Sequence, residues 1–192
     1  SLFFTYFFLP AFYDKNLVKI KLENQILERY NLEAKFQGRL TYGLFPKPHF
    51  FIKDTIISHL DENLATSDIA KIYIAVDNFF SLENLKIKNI FFKQTEFDIN
   101  KKNSDFFKKI LNSNKSNYYV DFKNSKLFFK DQDEDVIFLT NIKNLNFLYN
   151  DEFNQELNAN LDIFNVPVKI KIINNQNKRN AFIKLDAHKL RI

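Results

Sequence analysis

The chain has 192 residues, with 28 Lys and Arg against 23 Asp and Glu, for a formal net charge of +5. At 45% hydrophobic and 27% charged it is not a disordered chain, and its length allows one domain with a sizeable core. The absence of Cys removes disulfide and thiolate chemistry, and two Gly cannot build a Gly-rich phosphate loop.

The chain has no Met and begins at Ser1, which predicts a piece of a longer protein or a processed one. Phe, Ile, Lys and Asn are abundant, as an AT-biased coding sequence would give, and Asn is expected to replace Gly in left-handed turns. The lysines alternate with apolar residues, as at Lys86 and Lys88 or Lys169 and Lys171, and form no block. That pattern is a solvated strand face, so nucleic acid is not an expected partner.

Residues 1–13 carry no charge before Asp14. They are too few to span a bilayer, which needs about 20 apolar residues. We read Leu2, Phe3, Phe4, Tyr6, Phe7, Phe8 and Leu9 as the outer end of a membrane anchor, with a buried strand or a signal-peptide remnant as alternatives. Asp14 is an expected N-cap for a helix to Tyr30, where Val18, Leu22, Ile26 and Tyr30 form one stripe with Leu27 beside it.

From Leu32 the period becomes two, so each run presents one apolar and one polar face. Gly38 keeps the parity of the apolar set and predicts a bend or a close backbone approach. The stretch Gly43–Pro48, with Pro46 and Pro48, predicts a turn. Further strands are expected at 50–58, 69–77, 85–92, 96–100, 118–123, 126–130, 136–140, 145–149, 157–164, 166–173 and 181–187. Ser104–Leu111 has helical spacing after a capping Ser and predicts a short helix over the sheet.

The search for chemistry is mostly negative. His49, His59 and His188 make no metal-binding pair and read as turn or surface residues. Asp131-Gln132-Asp133-Glu134-Asp135 begins like a calcium loop, but Val136 and Ile142 stand where Gly and Glu are required, so a solvated turn is expected. No catalytic residue, metal or cofactor is expected.

The order of several segments resembles the AsmA-like family of bacterial envelope proteins. They are the apolar start and helix 14–30, Leu32-Glu33-Ala34-Lys35-Phe36-Gln37-Gly38, Leu44-Phe45-Pro46-Lys47-Pro48 and Phe50-Phe51-Ile52-Lys53-Asp54. Leu64-Ala65, Ile69–Ile74, Leu85–Ile90, Phe97-Asp98-Ile99, Asn124–Asp131, Leu139–Leu145 and Phe164–Lys169 follow in order. Asn turns where that family often has Gly are a departure. The resemblance implies an anchor in the inner membrane of a Gram-negative bacterium at 1–13 and a periplasmic region over 14–192. The implied fold is mainly β, with an N-terminal amphipathic helix and a short helix near 104–112. Its long, curved antiparallel sheet would form an open apolar groove. Phospholipid and outer-membrane assembly proteins are the implied partners.

Alternation within that frame predicts a groove lined by Phe36, Leu40, Ile72, Ile74, Val76, Ile87, Phe97, Ile99, Val120, Phe122, Leu127, Phe129, Leu161, Ile163, Ile170 and Ile172. Two other readings stay open: a scaffold that pairs a client strand at its sheet edge, and a closed sandwich whose apolar faces pack together. A dozen strands would stack to roughly 55–60 Å, little more than one bilayer.

Overall fold

The computed structural model describes residues 2–77, 79–110, 118–149, 155–175 and 178–185, with side chains described for all but 2–4, 110, 118 and 149. Helix α1 (Leu2–Phe8) runs into a 3₁₀ turn (Leu9–Phe12), and α2 (Lys15–Tyr30) follows. Ten strands come next: β1 (Glu33–Phe36), β2 (Leu40–Gly43), β3 (His49–His59), β4 (Glu62–Ile74), β5 (Ile87–Ile99), β6 (Tyr118–Lys130), β7 (Val136–Tyr149), β8 (Gln155–Ile163), β9 (Val166–Asn175) and β10 (Lys178–Leu185). Helix α3 (Ser104–Ile110) lies between β5 and β6. All ten strands form one sheet in the order β1-β3-β4-β5-β6-β7-β8-β9-β10, with β2 beside β1 on the same edge of β3. The sheet is not closed on itself and has no second sheet packed on it among the described residues, which removes the sandwich reading.

Two expectations need correction. The sheet is mixed, because β5 and β6 pair in parallel. The connection carrying α3 returns the chain to the end of the sheet where β5 began, as a parallel pair requires. The sheet also has fewer and longer strands than expected. Three expected pairs of strands, at 85–100, 118–130 and 136–149, are single strands β5, β6 and β7. The sheet therefore stacks to about 40 Å.

The merged strands share one cause. In β3 the buried positions step from Ile52 to Thr55, in β5 from Phe92 to Thr95, and in β6 Phe122 and Ser125 share the inner face. One left-handed residue sits at each step: Asp54, Gln94 and Asn124, all exposed and with φ of 53°, 56° and 49°. Each lies opposite a single residue on its neighbours, so the pairing stays in register while the facing of everything beyond it reverses. The register puts Asp68 of β4 and Lys143 of β7 on the same line. The line ends at β8, where Ile142 and Asn144 pair with consecutive residues Leu161 and Asn160. At its other end Gly38 separates β1 from β2 and donates to the carbonyl of Lys53 at 3.0 Å. A Cβ at Gly38 would lie 2.4 Å from that carbonyl oxygen, so the expected close approach is real.

Buried hydroxyls gather along this line. Thr95 donates to Ser67 Oγ at 3.0 Å, Ser67 to the carbonyl of Ile69 at 3.1 Å, and Ser125 to that of Lys123 at 3.1 Å. Buried polar groups need such partners. Thr55 Oγ1 alone in this set has none.

Helix α2 begins as expected: Asp14 accepts from the backbone N–H of Asn16 and Leu17 at 2.9 and 3.0 Å. Asn31 closes it in the left-handed region. Val18, Leu22 and Ile26 are buried on the sheet, but Leu27 is half exposed. Gln25 is buried instead, because its amide donates to the carbonyl of Leu85 and accepts from the N–H of Ile87 at the start of β5. Lys19 and Glu23 bond the free carbonyl and N–H of Phe36 on edge strand β1, at 3.0 and 2.8 Å. The helix thus buries the apolar inner face of β1–β5 and also saturates the backbone at its margins.

Asn31, Asn124 and Asn165 hold positive φ and neither Gly does, but Asp54, Leu60, Asp61, Gln94, Glu134 and Phe164 hold it too, so Asn carries only part of the left-handed work expected of it. The two-residue turns Leu60-Asp61 and Phe164-Asn165 have both residues at positive φ, the conformation Asn-Gly favours. Leu60 is an exposed branched residue in that conformation. Replacing it with Asn is expected to raise stability by about 1 kcal/mol, a rise of roughly 2–4 °C in the thermal midpoint. An unchanged or lower midpoint would show that Leu60 is not strained.

Candidate functional site

The site is built from rows of residues that face one another across the whole sheet. One row reads Leu40, Ile52, Ala70, Phe92, Phe122, Leu145, Ala159, Ile170 and Ile183, each paired with the next. The neighbouring row reads Tyr42, Phe50, Ile72, Ile90, Val120, Phe147, Leu157, Ile172 and Ala181. Direct partners share a face, so both rows lie on the inner face. Helix α2 fills the β1–β5 half with a core that includes Phe50, Ile52, Ile72, Phe79 and Leu85.

Where α2 ends, a cavity of about 370 Å³ opens between α2, α3 and the inner faces of β1 and β3–β8. Apart from Arg29, Tyr30, Asn31, His59 and Lys109, its lining residues are apolar. Phe92 stacks on Phe122 at 5.2 Å between centroids, and Phe97 meets Phe122 edge-on at 4.9 Å. Phe106 and Phe107 of α3 close one side, with Phe106 against the His59 ring at 4.6 Å. The polar members are partly committed: Arg29 donates to the carbonyl of Ile87 at 2.7 Å, and His59 Nδ1 is 2.9 Å from the carbonyl of Asn31. Pockets of roughly 300–1,000 Å³ with apolar walls and few polar groups suit organic ligands.

The expected lining residues separate into groups. Phe97, Val120 and Phe122 line the cavity. Phe36, Leu40, Ile72, Ile74 and Ile87 belong to the closed core. Ile99, Leu127 and Phe129 lie further along β5 and β6, and Leu161, Ile163, Ile170 and Ile172 lie on β8 and β9, all partly accessible or exposed. Val76 is not on the sheet face at all; β4 ends at Ile74, and Val76 lies exposed in the connection to β5. Sequence alternation missed Ile57, Ala65, Ile90, Phe92, Leu145, Phe147, Leu157 and the helical contributions of Ile26, Phe106 and Phe107. Some lie beyond a left-handed residue, where strict parity points to the wrong face.

Other candidates resolve simply. Asp131 folds its run into a turn, its Oδ1 accepting from the N–H of Asp133 and Asp135, both at 2.9 Å. His49 is not the turn or surface residue expected: it begins β3, is buried, and turns its Nδ1 to the carbonyl of Lys47 at 2.8 Å. His188 lies outside the described residues. On the outer face Lys171 and Asn158 hydrogen-bond Glu156 and hold its carboxyl below the usual range. That contribution to stability is present above the ordinary carboxylate range and fades as pH falls through the lowered value. Among the described residues no helix is long and apolar enough to cross a membrane, and no group of three His, Asp or Glu is placed to hold a metal.

The chain thus forms an open mixed sheet with one half of its inner face under a helix and a largely apolar cavity beyond that helix. No family model matches the chain, and no curated protein matches it.

Proposed function

We propose that this chain is the membrane-proximal part of an AsmA-like envelope protein, and that its inner face binds or conducts phospholipid acyl chains. The observation that carries the reading is the continuity of the two apolar rows from the α2-covered core, through the cavity, to β10. Hydrocarbon gains about 0.8 kcal/mol per CH₂ removed from water, so a chain of ~16 carbons gains on the order of 12 kcal/mol. A trough supplies that without chemistry, and the row across strands gives the chain a direction to lie along. The setting would be the periplasmic side of the inner membrane, in the service of outer-membrane assembly, with 1–13 as the end of an anchor.

The test is native mass spectrometry of the protein after mild extraction, combined with photo-crosslinkers at Val120, Phe147 and Leu157. Bound phospholipid and lipid adducts at these positions are expected. A protein that emerges without lipid, and without lipid adducts, sinks the reading.

A second reading has its own observation. On the β1 edge Lys19 and Glu23 bond the carbonyl and N–H of Phe36, whereas the described residues of β10 are all exposed and pair only with β9. An unpaired edge is a template for another strand. Crosslinks from β10 to a protein, with a lipid-free cavity, would favour a scaffold for outer-membrane protein assembly.

A further inference from the structure

Three connecting segments meet at one end of the sheet, the end where β2 and β4 finish and β3 and β5 begin. They are the 3₁₀ turn 9–12, the turn 44–48 and the β4–β5 connection 75–86. Each presents a phenylalanine almost fully to solvent: Phe12 is 84% exposed, Phe45 90% and Phe80 80%. Exposed single apolar residues are ordinary, but three such rings on separate segments of one tip are not.

Behind the rings, tyrosine hydroxyls satisfy the backbone. Tyr6 donates to the carbonyl of Val76 at 2.8 Å and accepts from the N–H of Phe79 at 3.0 Å. Tyr42 donates to the carbonyl of Phe7 at 2.6 Å, and Tyr13 donates to that of Phe79. Burial pushes Tyr42 up to about 12 and raises Tyr13, so both remain donors at any ordinary pH. Water would serve a solvated loop equally well. Internal satisfaction of backbone groups is what a medium without water demands.

We propose that this tip is a membrane-insertion surface, with Phe12, Phe45 and Phe80 entering the interface of a lipid bilayer. Pro46 and Pro48 bracket Lys47 and lack N–H donors, so this turn is a poor edge for a partner strand. Lys15 and Lys47 are exposed beside Phe12 and Phe45, within reach of headgroup phosphates. Asp14, Asp77 and Glu83 offset them on the same tip, so the rings rather than the charges drive binding. The surface is separate from the cavity and does not depend on what the cavity holds.

The experiment is co-sedimentation of the whole chain with phosphatidylcholine–phosphatidylglycerol vesicles. The wild-type protein is expected to bind, and binding is expected to persist at high salt. Replacing Phe12, Phe45 and Phe80 together with Ser should weaken binding by roughly 100-fold or more, at several-fold to tenfold per inserted ring. Phe164→Ser, at an exposed ring on the opposite end, should leave it unchanged. All three tip rings are exposed, and an unchanged thermal midpoint verifies that the variant is folded. Three results overturn the proposal: no binding by the wild type, equal binding by the triple variant, or binding abolished by salt. A wild-type dimer in the absence of vesicles, lost in the triple variant, would assign the tip to a second protein copy instead. A lipid-free cavity in a vesicle-binding protein would count against the lipid-groove reading alone.

Discussion

Leu145→Asp and Leu157→Asp are each expected to reduce co-purifying lipid by roughly 100-fold or more, while the protein still folds. Both residues line the cavity, and both are partly accessible rather than part of the closed core under α2. A carboxylate there stays hydrated in the free protein, so its cost to folding is modest. An acyl chain lying along the row must strip that water, and an unpaired ion resists desolvation far more than it resists exposure. A penalty of about 3 kcal/mol already corresponds to more than 100-fold. Leu145→Met keeps the volume and the apolar character, and should retain lipid. Native mass spectrometry reads the occupancy, and thermal unfolding reads the fold. If the two Asp variants keep wild-type lipid, the acyl chain does not follow these rows.

Gly38→Ala is expected to be the more damaging of the two Gly→Ala changes this chain allows. The new Cβ would lie 2.4 Å from the carbonyl oxygen of Lys53 and 2.8 Å from its carbon. These are backbone atoms, so no side chain can swing aside. Either β2 moves away from β3, or the bond from Gly38 N–H to that carbonyl breaks. We expect a loss of about 3 kcal/mol, lowering the thermal midpoint by roughly 6–12 °C. Gly43→Ala meets the His49 ring at 2.7 Å, and a ring can turn, so its effect should be about a third as large. A Gly38→Ala protein that melts with the wild type would show that β2 can shift without cost.

The line of left-handed residues explains why the sequence is legible in its elements and not in its site. Asp14, Asn31 and the Val18–Leu22–Ile26 spacing gave α2 within a residue at its start. The spacing after Ser104 gives α3, though Ser104 is its first residue and not the expected cap: its hydroxyl donates to the carbonyl of Lys101. Both are local devices, read within a few residues. The strands were also found, but β5, β6 and β7 were each cut in two. A parity reversal inside a run looks the same as a break between runs. The signal is present: Lys53-Asp54-Thr55, Lys93-Gln94-Thr95 and Lys123-Asn124-Ser125 repeat one pattern, an amide or acid side chain at the left-handed position before a hydroxyl. Its meaning appears only when the three lie side by side, where Thr95 bonds Ser67 of β4 and Ser125 of β6 accepts from the N–H of Thr95.

Gln25 makes the same point for a single residue. By polarity it belongs on the wet side of α2, and Leu27 belongs on the sheet. The structure reverses them, because the start of β5 offers a carbonyl and an N–H that only a two-ended amide can satisfy together. Those partners are about 60 residues away in the chain, beyond any local pattern.

The sequence by itself determined that this is a strand-built protein with an amphipathic helix near its start and Asn at some of its left-handed turns. Alternation and capping are properties of neighbours in the chain, and the chain states them directly. The tertiary structure decided which alternating residues share a face, that β5 and β6 run parallel, and that a cavity opens where α2 ends. It also gathered Phe12, Phe45 and Phe80 at one tip. Each of these depends on register, and register is fixed by bulges and pairings between residues that the sequence keeps far apart.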